Sequence, residues 1–189
     1  MKLSKLKGEY DAIFSLGHLC LASIQLRNLG LRPYAGVLDW MASPSLSDVN
    51  RLLRNRFAGF MELQHLTVIG YAGEQFICVQ DVAYNCVSNH DFPSDRNTLT
   101  HLATYPEVKE KYNRRIQRFL EKTATCKKVL FVRTEGTYEE AAELQAVLSN
   151  LVKHDFRVLL INHPDVQDVT ERGWPLKKVC AVEFPNKDI

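Results

Sequence analysis

Three consecutive segments decide the fold class: Lys127–Arg133 (KKVLFVR), Thr137–Asp155 (TYEEAAELQAVLSNLVKHD) and Phe156–His163 (FRVLLINH). The outer two are short apolar runs rich in Val, Ile and Leu, which read as buried strands. The middle one has the length and periodicity of a helix. Strand, helix and strand in that order form a βαβ unit, which pairs its strands in parallel through a right-handed crossover. Downstream, Lys177–Phe184 (KKVCAVEF) offers one more strand. Upstream, Pro106 to about Lys122 reads as a long helix.

Further towards the N-terminus the period changes. Residues 63–87 alternate in the β manner, with Val68, Ile69, Phe76, Ile77, Val79 and Val82. Two or three short antiparallel strands are expected there. Ser88–Asp95 (SNHDFPSD) has the composition of a loop. Ser45–Phe57 reads as an amphipathic helix capped by Ser45, with Asp48 near a capping box. Leu31–Ser45 (LRPYAGVLDWMASPS) is turn-rich. Tyr10–Leu16 (YDAIFSL) reads as a strand ending at Gly17. A helix is expected over Leu19–Leu29, closed by Gly30 as a C-cap glycine. The expected architecture is one α/β domain over residues 1–189. It has three layers: a mostly parallel central sheet with helices on both faces, and a small antiparallel element near residues 63–87.

Bulk properties narrow the function classes. A chain of 189 residues suits a single domain, and 46% hydrophobic with 24% charged residues is ordinary for a folded one. Twenty-four basic against 22 acidic residues leave a net charge of +2, so no nucleic-acid partner is expected. The basic run Lys109, Lys111, Arg114, Arg115, Arg118 reads as the solvated face of a helix. Five cysteines at irregular spacing, with no CxxC, suggest neither a disulfide framework nor a metal site. The N-terminus is too polar for a signal peptide, and no apolar run reaches the roughly 18 residues of a membrane span. A cytoplasmic setting with no membrane partner is the expectation. No cofactor is called for: there is no GxGxxG and no P-loop, and the loop Leu16–Cys20 holds one glycine where a dinucleotide site would need three.

The chemistry-bearing candidates start at Cys20. It follows a buried strand and the Gly17-His18 turn and enters the first turn of a helix. A helix N-terminus carries roughly half a positive charge, which favours a thiolate, and its free amides could hold an oxyanion. The competing reading makes Cys20 a small buried hydrophobe. Cys78, Cys86, Cys126 and Cys180 read as structural. A nucleophilic cysteine needs a base held by a third group. His90, in SNHDF, is the first candidate. Asp91 or Asp39 is available to orient it. His18 is a second base or a turn residue, and His163, at a strand C-terminus, is a weaker one. Asp39-Trp40 sets a carboxylate beside a large aromatic. Arg133 ends a buried strand, where it is either salt-bridged or in contact with an anionic substrate group.

Phe14–Met41 (FSLGHLCLASIQLRNLGLRPYAGVLDWM), Asn89–Phe92 (NHDF), Asn113–Phe119 (NRRIQRF) and Val129–Arg133 (VLFVR) together resemble a family catalogued as "putative papain-like cysteine peptidases" of unknown function. The order of the motifs matches as well. The resemblance implies a Cys-His catalytic pair, falling on Cys20 and His90, with Asp91 as a possible third member. The family usually has a Pro-Phe-Asp-Trp-like sequence where this chain reads Gly36-Val37-Leu38-Asp39-Trp40, so Asp and Trp are kept and the flanking pair differs. The order of strands and helices departs from a papain fold, in which no βαβ half follows the cysteine helix.

Two functions are therefore carried forward. One is a cysteine hydrolase, peptidase-like or acyl-transferring, with Cys20, His90 and Asp91 as catalytic residues. Gly17, His18, Asp39, Trp40 and Arg133 would be its substrate contacts. Its substrate, a peptide or a small molecule, is unidentified, and its oligomeric state is open. The alternative is a non-enzymatic module for a small polar ligand held by Arg133, Asp39 and His90. The resemblance extends to domains found beside glycan-modifying enzymes, which would make that ligand a sugar or sugar phosphate.

Overall fold

The computed structural model describes residues 1–186. In chain order the elements are β1 (Ala12–Ser15), α1 (Leu21–Asn28), β2 (Met41–Ala42), α2 (Leu46–Arg54), β3 (Leu66–Ala72), β4 (Phe76–Asp81), β5 (Cys86–Pro93), α3 (Tyr105–Thr125), β6 (Lys128–Thr134), α4 (Tyr138–Leu151), β7 (Asp155–Asn162), β8 (Thr170–Arg172) and β9 (Val179–Glu183). They build a mixed α/β structure. One sheet has the order β1-β6-β7-β9-β8 and is parallel except for β8; the other, β2-β5-β4-β3, is antiparallel.

The expected βαβ unit is β6-α4-β7, with Lys128 opposite Asp155 and Thr134 opposite Ile161. Helix α4 starts where its capping box says it should. Thr137 Oγ1 accepts the Glu140 N–H at 3.2 Å, and Glu140 Oε2 accepts the Thr137 N–H at 2.9 Å. Ser45 caps α2 by accepting the Asp48 N–H at 3.1 Å. Gly30, at φ +69°, closes α1 with a Schellman pair: Leu31 N–H to Leu26 O at 2.8 Å and Gly30 N–H to Arg27 O at 3.0 Å.

Alternation along the parallel strands splits the apolar residues between two faces. Phe14, Val129, Phe131, Val158 and Leu160 join one cluster with Phe119 of α3 and with Leu144 and Leu148 of α4. Ile13, Leu130, Val132, Leu159 and Ile161 meet Ala22 and Leu26 of α1 on the other face. Phe119 is the hinge of the larger cluster, with ring centroids 4.7 Å from Phe14, 5.2 Å from Phe57 and 5.9 Å from Phe131. That cluster continues into the antiparallel sheet through Met41, Ile77, Val79 and Phe92.

Three local expectations are corrected. Helix α1 begins at Leu21 rather than Leu19, because Leu19 has φ +63° and cannot continue a right-handed helix; Cys20 becomes the N-cap residue. The antiparallel sheet recruits Met41-Ala42 from the turn-rich segment, with Met41 opposite Ser88. The segment SNHDFPSD is not a loop up to Pro93: its first six residues belong to β5, with Phe92 opposite Ile77 and Pro93 opposite Phe76. The hydrogen-bonded ladder and the burial of Phe92 override its polar composition.

Candidate functional site

The loop that delivers Cys20 is locked from below. Past β1 the ladder with β6 continues, as Leu16 N–H bonds Val132 O and Thr134 N–H bonds Gly17 O, both at 2.8 Å. Gly17 has φ +80°, and a Cβ there would stand 2.3 Å from Ser43 Oγ. Only glycine satisfies both constraints. Ser43 is the hub. Arg133 donates from Nη1 to Ser43 Oγ at 2.8 Å and to Leu16 O at 2.9 Å, from Nη2 to Ser43 O at 2.7 Å, and from Nε to Glu135 O at 3.1 Å. Ser43 N–H donates to His18 Nδ1 at 3.0 Å, which assigns the proton of the neutral ring to Nε2. Burial, and then the Arg133 charge, lower the His18 pKa.

Arg133 is thus corrected on both of its expected roles. It is fully buried, and among the described residues it makes no ion pair. Its charge is met by carbonyl and hydroxyl dipoles, and desolvation pushes the guanidinium down to about 10. It braces β1, the Ser43 turn and β6, and no face of it is left for a substrate.

Cys20 is half-exposed on top of this frame, and its Sγ lies 3.7 Å from His90 Nε2. The imidazole comes from the other sheet. Between the pairs Ile77–Phe92 and Val79–Ser88, residues 89–91 stand opposite Cys78 alone, so His90 sits on a β-bulge. Such bulges re-aim a side chain, and here they turn an exposed ring towards α1. Cys78 fixes the bulge by donating from Sγ to Asn89 Oδ1 at 3.2 Å. The His90 ring is packed edge-on by Phe76 at 5.8 Å and by Trp40 at 6.2 Å between centroids.

The expected depression of the Cys20 pKa is not found. Partial burial and then the Asp39 carboxylate both favour the neutral thiol, and its pKa lies above the ordinary value.

The two carboxylates differ from a triad orienter. Asp91 points to α3: it accepts from Ser88 Oγ at 2.5 Å and Tyr112 OH at 2.6 Å and pairs with the Lys111 ammonium. Among the described residues it makes no hydrogen bond to His90. Its burial raises the carboxyl pKa, but Lys111 with the three hydrogen bonds outweighs that and leaves it lowered. Asp91 therefore anchors the strand that carries His90. Asp39 is buried under the Trp40 loop, accepting from Arg32 Nη1 at 2.5 Å and from Gly36 N–H at 2.7 Å. Trp40 lies between the guanidinium carbons of Arg32 at 5.3 Å and Arg27 at 5.9 Å on one hand and His90 on the other.

His18 and His163 do not reach the Cys20–His90 contact; they line a neighbouring cavity of about 270 Å³ with Leu19, Leu21, Thr134, Glu135 and Asn186. His163 Nδ1 is bound to Glu135 Oε1 at 2.6 Å. Among the described residues no group of three or more His, Cys, Asp and Glu is placed to hold a metal ion. Sequence reasoning missed Ser43, Lys111, Tyr112, Phe76, Arg27 and Arg32. Lys111 belongs to a basic run with the pattern of a solvated helix face, and the MASPS stretch holding Ser43 shows only turn composition. The arginine-bearing helix is visible as a motif, whereas its contact with Asp91 through Lys111 and Tyr112 is set only by the fold.

The fold and site together define a mixed α/β protein that brings the thiol of a helix N-cap residue and a strand-borne imidazole together between two sheets. Residues 11–166 match the family described as "Putative papain-like cysteine peptidase (DUF1796)", and the chain belongs to that family. It is similar to the "Uncharacterized protein R408" of Acanthamoeba polyphaga mimivirus, with 29% identity over 188 residues, covering 87% of this chain and 82% of that relative. No solved structure matches it.

Proposed function

We propose that the protein is a cysteine hydrolase or acyltransferase in which Cys20 is the nucleophile and His90 its proton acceptor. The 3.7 Å contact between Sγ and Nε2 carries this reading. Because the surroundings hold Cys20 as a thiol, His90 works as a general base at the moment of attack rather than as half of a standing ion pair. Sulfur bonds to the carbonyl carbon while its proton passes to Nε2, and the carbonyl oxygen becomes an oxyanion. First-turn amides of α1, at Leu21 and Ala22, have no intrahelical acceptor and are available to it. Collapse expels the leaving group with the proton from His90 and leaves a thioester. Water, or another acyl acceptor, then attacks the thioester with His90 again taking the proton.

The binding-module alternative loses two of its three contacts, since Asp39 and Arg133 are buried and already bonded. The test uses a panel of p-nitrophenyl esters, with acyl-enzyme followed by peptide mass spectrometry. Acyl adduct on Cys20 is expected, absent in Cys20→Ala and formed about 10²–10⁴-fold more slowly in His90→Ala. Equal acylation rates with and without His90 would refute the assignment.

A further inference from the structure

The surface beside the pair carries one unmatched cation. Cys20, Ile24 and Arg27 stand four and seven positions apart on α1, so they share one helix face. At 1.5 Å of rise per residue, Arg27 lies about 10 Å beyond Cys20 along the axis. Trp40 touches both regions, with its ring centroid 6.2 Å from that of His90 and 5.9 Å from the Arg27 guanidinium carbon. Three charges surround the indole. Arg32 is matched by Asp39 at 2.5 Å with only 9% of its side chain exposed. Arg27 is exposed, and among the described residues no carboxylate pairs with it. The half-buried indole thus carries over its ring one uncompensated, solvent-accessible guanidinium, which a carboxylate could approach bidentately.

We infer that Arg27 determines specificity by reading a carboxylate on the substrate, its guanidinium carbon lying at most about 12 Å from the His90 ring by way of the Trp40 centroid, 6.2 Å from one and 5.9 Å from the other. The ligand class is an acidic peptide or another acyl compound with a carboxylate at that reach. The inference rests on the reading of Cys20 and His90 as the reactive pair, and its test separates the two.

The probes are bromoacetyl-glycyl-glycine, which ends in a carboxylate, its C-terminal amide, and bromoacetyl-glycyl-aspartic acid α-amide, which carries the carboxylate on a side chain. Each alkylates Cys20 by forming the S–C bond and expelling bromide, with the thiol proton leaving through His90. In the wild-type protein at low salt, at least one carboxylate probe should react up to about fivefold faster than the neutral amide, the worth of one partly exposed ion pair. The preference should fall to about one in Arg27→Gln, survive in part in Arg27→Lys, and shrink in 1 M salt. Preference for the first or the third probe identifies a terminal or a side-chain carboxylate. No preference in the wild type, or one that persists in Arg27→Gln, overturns the role of Arg27. His90→Ala should slow all three probes alike. If it slows none, the reactive-pair reading fails instead, whatever the charge preference.

Discussion

Gly17→Ala should unfold the site's frame by an amount the geometry fixes. The new methyl carbon would stand 2.3 Å from Ser43 Oγ and 3.1 Å from Arg133 Nη1, so the hydroxyl must leave its place under the guanidinium. Losing the 2.8 Å hydrogen bond from a buried charged donor costs about 1.5–3 kcal/mol. An alanine at φ +80° adds about 1–2 kcal/mol of left-handed strain. The stiffer unfolded chain returns about 0.4–1 kcal/mol. The net loss is about 3 kcal/mol, which lowers the urea midpoint by more than about 1 M at an ordinary slope. The mechanism is separable by repeating the substitution in a Ser43→Gly background, where only strain less entropy remains, roughly 1 kcal/mol. A double-mutant cycle should then show coupling of about 2 kcal/mol between positions 17 and 43. A Gly17→Ala midpoint within about 0.3 M of wild type, or strict additivity of the two changes, would refute the clash as the cause.

Asp91→Asn removes one partner of a buried pair and should cost about 3 kcal/mol at pH 7, read by urea denaturation. Its carboxyl pKa is lowered in the fold, so this stability is fully present above the unfolded value near 4 and disappears as pH falls through the lowered folded value. Wild type and variant should therefore converge as the pH falls below the ordinary carboxylate range, and a constant gap would contradict the pairing. Cys20, whose thiol is raised by burial and by Asp39, should show an iodoacetamide rate that still climbs above pH 8.5, and Asp39→Asn should shift that climb downwards. A rate already level at pH 7 would mean a preformed thiolate.

The parallel sheet was legible because its information is local. KKVLFVR and FRVLLINH each carry their own apolar run, and the helix between them carries its own cap at Thr137. Cys20 at a helix start was legible for the same reason, being a property of one strand, one turn and one helix. The failures are non-local. Arg133 looks from its sequence neighbours like a charged strand end. Its actual partners, Leu16 and Ser43, lie 117 and 90 positions away. His90 was found as a residue but not as a strand residue, because the bulge exists only in the register between β4 and β5. Asp91 shows the effect of the bulge: strict alternation would set His90 on the buried face of Ser88 and Phe92, and the bulge instead exposes His90 and turns Asp91 towards Ser88 and Tyr112.

The bulge also explains why, among the described residues, no carboxylate orients His90 while the histidine is still positioned. In β5 the outward residue meets Cys20 and the inward one is gripped by Lys111 and Tyr112 of α3. Helix α3 in turn packs Phe119 against Phe14 of β1, the strand that leads to Gly17 and Cys20. One helix thus ties the imidazole-bearing strand and the thiol-bearing loop to a common core, so their separation is set by packing rather than by a carboxylate hydrogen bond. Rings at Trp40 and Phe76 restrict His90 from the sides, where in a carboxylate-oriented dyad the restraint would come through Nδ1. The orientation of the base then depends on apolar contacts that salt does not screen, whereas recognition of an anionic substrate at Arg27 depends on charge. The two halves of the proposed chemistry should therefore respond independently to ionic strength.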